Sequence, residues 1–258
     1  MFGMLETLVT GPLSIKVEFI LKGKRMSNLF VRHLATLFMV MAVSEFSACS
    51  YAGSEAQAVR LPNPEVDAPL AKTGGQQTAV FAGGCFWGMQ LVYQHVKGVT
   101  SATSGYSGGS AQHADYEQVS TGTTGHAESV KITYDPSKIS YGQLLKIYFS
   151  VAHDPTQLNR QGPDVGTQYR SEIFYTSTEQ QKIAQAYLDQ LQNAKIYSGP
   201  IVTKLAPLSG FYPAEAYHQD YATLHPQNPY IRINDLPKLS NLKATFPRLF
   251  QTAKAPSS

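Results

Sequence analysis

With 258 residues, 43% of them hydrophobic and 15% charged, the chain can bury a substantial core, which excludes a disordered polyelectrolyte. The net charge of +3 is modest and no long basic run is interleaved with aromatics, so nucleic acid is not an expected partner. The two cysteines, Cys49 and Cys85, form no Cys-x-x-Cys pair, which argues against a dithiol redox motif and a cysteine zinc site.

Residues 34–43 (LATLFMVMAV) form a ten-residue apolar run, too short to span a bilayer comfortably. Arg32 and His33 lie just before it, and Lys22, Lys24 and Arg25 lie upstream. This is the pattern of a signal peptide, and Ser50-Tyr51-Ala52 before Gly53 suits small-residue cleavage. Met26 offers a start that gives a conventional signal length. Phe46-Ser47-Ala48-Cys49 resembles a lipoprotein box but departs from it at Phe46, so plain export is expected over lipidation. The competing reading is a helix of the fold over 16–43. A Cys49–Cys85 disulfide is allowed by counting, but Cys49 lies in this targeting segment.

Residues 53–75 carry Pro62, Pro64 and Pro69, which disfavour a helix and predict an extended linker. A short apolar strand over 78–82 leads into a helix over 86–96, ended by Gly98. A strand follows over 99–106, then a polar, Gly-rich loop over 110–126, then an alternating strand over 127–134 stopped by Asp135-Pro136. Ser140 with Gln143 has capping-box spacing and opens a helix to about 151, with Leu144, Ile147, Tyr148 and Val151 on one face. A strand over 171–175 precedes a second Ser-x-x-Gln box, Ser177 with Gln180, and a helix striped by Ile183, Ala184, Tyr187, Leu188 and Leu191. A strand over 200–205, a short helix over 213–224 and a coil-rich tail complete the reading. The order β-α-β-β-α-β predicts an α+β fold: a ferredoxin-like two-layer sandwich with a mixed, mainly antiparallel sheet, helices on one face and long loops.

Cys85 stands at the predicted strand-to-helix turn, in Gly84-Cys85-Phe86-Trp87-Gly88. A helix N-terminus favours the thiolate, which is the nucleophilic form. Gly83-Gly84 implies that something approaches the backbone closely there. The bland alternative is a small buried hydrophobe.

Gly-Cys-Phe-Trp-Gly resembles the signature of the A-type peptide methionine sulfoxide reductases. The resemblance covers roughly residues 77–233. Its motifs are Gly105-Tyr106 with Gly108-Gly109, Tyr116-Glu117-Gln118-Val119, Thr124-Gly125-His126-Ala127-Glu128 and His153-Asp154-Pro155. Gln161-Gly162 with Asp164, Gly166-Thr167-Gln168-Tyr169-Arg170-Ser171, and Glu215 with His218-Gln219 and Tyr221 complete the series. It implies a catalytic domain over 76–235, after a targeting region over 1–52 and the linker over 53–75, with a C-terminal extension over 236–258.

The resemblance also implies roles. Cys85 is the nucleophile and Glu128 the proton donor. Tyr116 and Tyr169 hold the sulfoxide oxygen, and Asp164 organises the network. Phe86 and Trp87, with Gly84, form the substrate pocket. Such a reaction needs a nucleophile, an acid and hydrogen-bond donors, because oxygen leaves sulfur poorly unless protonated. No metal and no bound cofactor are expected. His126, His153 and His218 lack metal-like spacing, and Glu215 with His218 has no second copy.

The implied substrate is methionine-S-sulfoxide, free or in proteins. Many relatives carry resolving cysteines near the C-terminus, whereas this chain has none after Cys85 and its Asn228-Pro229-Tyr230-Ile231-Arg232 resembles the single-cysteine members. The Cys85 sulfenic acid then needs an external thiol, from a thioredoxin-like or glutaredoxin-like protein or glutathione. A periplasmic monomer is expected, touching membrane only if Cys49 is lipidated. Two other readings are a cysteine hydrolase drafting His126 or His218, and a non-catalytic envelope binding protein anchored at Cys49.

Overall fold

The computed structural model describes residues 58–252. The apolar run over 34–43, the cleavage site and Cys49 lie outside the described residues.

The continuous apolar run Ala79-Val80-Phe81-Ala82 produces β1 (Gln77–Gly83), buried on both faces: Ala79 and Phe81 enter one core cluster while Val80 and Ala82 enter another. Helix α1 (Phe86–Gln94) follows directly, then β2 (Val99–Ser107). The polar stretch read as loop holds a 3-10 turn and a short helix, α2 (Tyr116–Val119), because Asp115 caps it by accepting from the Gln118 N–H at 3.1 Å. Strand β3 (Ala127–Tyr134) lies between β1 and β2, antiparallel to both.

Helix α3 (Tyr141–Ile147) opens with the reciprocal box: Gln143 N–H donates to Ser140 Oγ at 3.1 Å and Ser140 N–H to Gln143 Oε1 at 3.0 Å. It widens into a π-turn over Tyr148–Ala152. A two-strand hairpin, β4 (Arg160–Gln161) and β5 (Asp164–Val165), precedes β6 (Ser171–Tyr175). Helix α4 (Thr178–Ala194) has half of its expected box. Ser177 caps Gln180 N–H at 3.1 Å, but Gln180 Oε1 accepts from Thr176 N–H, one residue earlier than the reciprocal bond.

β7 (Lys204–Pro207) starts later than the sequence suggests and pairs parallel to β6. β8 (Phe211–Pro213) pairs with β2 and has no local signal beyond its aromatic pair. The six-stranded sheet runs β7-β6-β1-β3-β2-β8, mixed and mainly antiparallel. Side chains of α1, α3 and α4 share one core cluster with Phe81, Ala102, Val130 and Ile132.

Further segments differ from the sequence expectation: in place of one helix over 213–224, a strand ends at Pro213, a 3-10 turn spans Ala216–His218 and a short helix spans Tyr221–Leu224. After α5 (Tyr221–Leu224) the tail is not coil: a π-turn over Ile231–Asp235 runs into α6 (Leu236–Thr245), with Leu242 buried in the main core. The set-apart extension from residue 236 is therefore packed into the body. Residues 58–75 are extended, as their prolines require, and strapped down. Leu61 is buried, Val59 N–H donates to Ser150 O at 3.0 Å, and the Tyr187 hydroxyl donates to Pro62 O at 2.9 Å. Asp67 accepts from Gly142 N–H at 2.8 Å and from the Ser140 hydroxyl, so the strap caps α3. Asp67→Ala should lower stability by about 1–2 kcal/mol, measured by denaturant unfolding. An unchanged midpoint would show that the strap is not coupled to α3.

Candidate active site

The turn between β1 and α1 builds the site. Gly84 has φ +89°, and a Cβ there would lie 2.5 Å from the Gln161 side chain. At Gly83 a Cβ would lie 2.9 Å from His153. The close approach implied by the glycine pair is thus made by two side chains. Cys85 occupies the N-cap position of α1 and is 7% exposed.

Glu128 stands on β3 where β1 has already turned away, opposite Tyr106 on β2. The gap lets Phe86 N–H donate to Glu128 Oε2 at 3.0 Å. The carboxyl is buried, and that burial pushes its pKa up to about 8; the Phe86 N–H opposes the shift, and the charge of Asp164 adds to it. Glu128 is therefore a proton carrier at neutral pH, as an acid catalyst must be.

The state of Cys85 differs from the sequence expectation. The Trp87 N–H at the start of α1 and the charge of Lys238 do favour the thiolate. Burial outweighs them, joined by Glu128 and Asp235, and holds the pKa well above the usual thiol value. The resting group is a thiol, because desolvation exceeds what one helix terminus supplies.

The other expected residues converge. Tyr116 opens α2, and Tyr169 closes a 3-10 turn over Thr167–Tyr169 ahead of β6. Both hydroxyls are kept protonated, chiefly by burial and then by Glu128, with Cys85 contributing to each. Asp164, in the β4–β5 hairpin, accepts from the Tyr230 hydroxyl, and burial raises its pKa. The Phe86 ring is only 1% exposed, against Tyr106 and His218 with centroids 5.8 and 5.1 Å away, so its N–H and not its ring serves the site most directly. Trp87 keeps a partly exposed ring, stacked on Tyr221 at 4.0 Å and edge-on to Tyr230 at 6.0 Å.

Cys85 and Asp164 open on a cavity of about 400 Å³ that Tyr230, His153, Gln161 and Lys238 also line. Tyr230 and Lys238 were not singled out by sequence reasoning as site residues. The Asn-Pro-Tyr tail motif was the available signal for Tyr230; Lys238 had none.

Among the described residues, His126, His153 and His218 are each engaged by partners other than Cys85. His126 accepts from Gly109 N–H at 3.2 Å and meets Ser110 O at 2.9 Å. His153 meets Tyr148 O at 3.0 Å and the Ser171 hydroxyl at 2.7 Å, and burial lowers its pKa to about 4. His218 Nδ1 accepts from Trp87 Nε1–H at 3.2 Å. A hydrolase arrangement is thus not assembled. Among the described residues no group of three or more His, Cys, Asp or Glu could hold a metal ion.

A buried thiol beside a protonated carboxyl, ringed by protonated tyrosines, is a site for nucleophilic attack with proton delivery to a leaving oxygen. Comparison with known proteins agrees with this chemistry. Residues 77–249 match the family model described as peptide methionine sulfoxide reductase, so α6 falls inside the matched region. The chain is 65% identical over 176 residues to peptide methionine sulfoxide reductase MsrA 2 of Mesorhizobium japonicum, covering 68% of this chain and 90% of the relative. It is 50% identical to the protein of the same name from Synechocystis, covering 72% and 88%. Among solved structures, reduced Mxr1 of Saccharomyces cerevisiae aligns with a TM-score of 0.54 at 31% identity, over 62% of this chain and 94% of that one. Methionine sulfoxide reductase A of Corynebacterium diphtheriae aligns at 0.51 and 30%, over 69% and 92%. The chain belongs to the peptide methionine sulfoxide reductase family.

Proposed function

We propose that this protein reduces methionine-S-sulfoxide, free and within oxidised proteins, to methionine through a sulfenic acid on Cys85. The observation that carries the reading is the position of Cys85 at the start of α1 with the N–H of the next residue, Phe86, donating at 3.0 Å to the buried carboxyl of Glu128, which its burial keeps protonated near neutral pH. Glu128 gives its proton to the sulfoxide oxygen as the Cys85 sulfur attacks, and the thiol proton returns to Glu128. The sulfur–oxygen bond of the substrate breaks, a Cys85 sulfur–oxygen bond forms, and the products are methionine and Cys85 sulfenic acid. Tyr116 and Tyr169 donate to the oxygen, and Asp164 with Tyr230 shapes the pocket behind it. Trp87 supplies the apolar wall for the substrate methyl group.

Two external thiols then restore the enzyme: the first forms a mixed disulfide and releases water, and the second frees Cys85. The absence of a cysteine after Cys85 in this chain supports an external reductant of the thioredoxin or glutaredoxin kind. No bound cofactor is needed for either half. The strand order β6-β1-β3-β2 with antiparallel neighbours supports a ferredoxin-like core. The targeting pattern before residue 53 supports export to the periplasm, and the domain acts as a monomer.

The test is turnover with dithiothreitol on the two separated sulfoxide epimers. Conversion of the S epimer, with the R epimer left intact, is the expected result. Conversion of neither by folded protein would overturn the assignment.

A further inference from the structure

One buried charged pair takes no part in this chemistry. Asp235, just before α6, is 0% exposed and Lys238 is 7% exposed. Lys238 Nζ donates to Asp235 Oδ1 at 3.2 Å, and Asp235 Oδ2 is buried with no hydrogen-bond partner among the described residues. Such a pair is weak evidence for stability, because desolvating two ions offsets their attraction.

Its position points elsewhere. The pair fills the niche left by the missing side chain of Gly88, three residues after Cys85. A Cβ there would lie 2.1 Å from Asp235 Oδ1 and 2.8 Å from Lys238 Nζ. Residues three apart share a helix face, so the pair sits one turn below the nucleophile. Lys238 also lines the cavity onto which Cys85 opens. The other groups facing Cys85 are Glu128 from β3, Tyr116 from α2, Tyr169 from its 3-10 turn and Tyr230 from the tail, with His153 and Asp164 on the cavity wall.

We propose that Asp235 and Lys238 are positioning residues that bias Cys85 in opposite directions: Asp235 keeps the sulfur a thiol between turnovers, and Lys238 limits that bias so the proton can leave when substrate arrives. Burial raises the Asp235 pKa, while Lys238 Nζ at 3.2 Å favours its charged form; the signs follow from that charged pair, since the carboxylate disfavours a nearby thiolate and the ammonium favours it. A resting thiol is protected, because alkylation and overoxidation proceed through the thiolate. The last glycine of the Cys85 motif is then required by this pair as much as by the helix.

The test is iodoacetamide alkylation of Cys85 across pH in the full chain, read on the Cys85 peptide by mass spectrometry and independent of sulfoxide reduction. Asp235→Asn keeps the shape and the bond to Lys238. It should speed alkylation about three- to tenfold at neutral pH and move the profile to lower pH, tenfold corresponding to one pKa unit. Asp235→Asn combined with Lys238→Met should be slower than Asp235→Asn alone and shifted back upward. Loosening of the site would speed both variants alike, so opposite shifts distinguish charge from structure. An unmoved or upward-moved profile in Asp235→Asn, or a double variant no slower than the single, overturns the proposal. Should Asp235→Asn fail to fold, Asp235→Ser reads the same charge with water in the niche.

Discussion

Cys85→Ser should form no methionine above the uncatalysed background, at any concentration of dithiothreitol. The hydroxyl fits where the thiol sat and still accepts the Trp87 N–H, so the fold is retained. A serine cannot be converted to a sulfenic acid, so the oxygen has no acceptor. Measurable turnover by this variant would place the chemistry elsewhere.

Glu128→Gln should slow single-turnover reduction by ~10²–10⁴-fold, the usual worth of a positioned acid. The amide keeps an acceptor for Phe86 N–H but has no proton of the needed acidity. The pH dependence gives a second reading. The active form is the protonated one, so wild-type reduction should be level below pH 8 and fall as pH rises through about 8; the variant should lack that limb. Stability also falls as pH rises, but over a lower window than activity, between the unfolded and folded values. A carboxyl raised from 4.5 to about 8 on folding is unpenalised below its unfolded value and increasingly destabilising as pH climbs toward the folded one. Glu128→Gln should therefore be more stable than wild type at pH 8 in denaturant unfolding, by on the order of 4 kcal/mol, with the gap closing toward pH 4.5. A rate within twofold of wild type would remove Glu128 from the acid's role.

Much of this site was legible in sequence because its signals are local. A short apolar run, two glycines and a lone cysteine before a helical stripe fix the β1–α1 turn within ten residues. Ser140 with Gln143 marks α3 by the same local logic. The ionisation of Cys85 was not legible, since burial depends on what covers the turn, and that cover comes from β3 and α6. The Asp235–Lys238 pair lies about 150 residues from the glycine that accommodates it. The tail also misleads when read locally: Pro237 suggests coil, yet it occupies the first turn of α6, where no backbone N–H is required. Ser177 illustrates a smaller limit. The spacing of a capping box is in the sequence, but which N–H its Gln180 reaches is settled by Thr78, whose carbonyl takes the other end of that side chain.

The most direct test of the account is one substoichiometric addition of L-methionine-S-sulfoxide to fully reduced protein with dimedone and no other thiol, followed by peptide mass spectrometry. One methionine formed per dimedone adduct, with the adduct on Cys85, is the result predicted. Intact sulfoxide with an unmodified Cys85 in folded protein would contradict it.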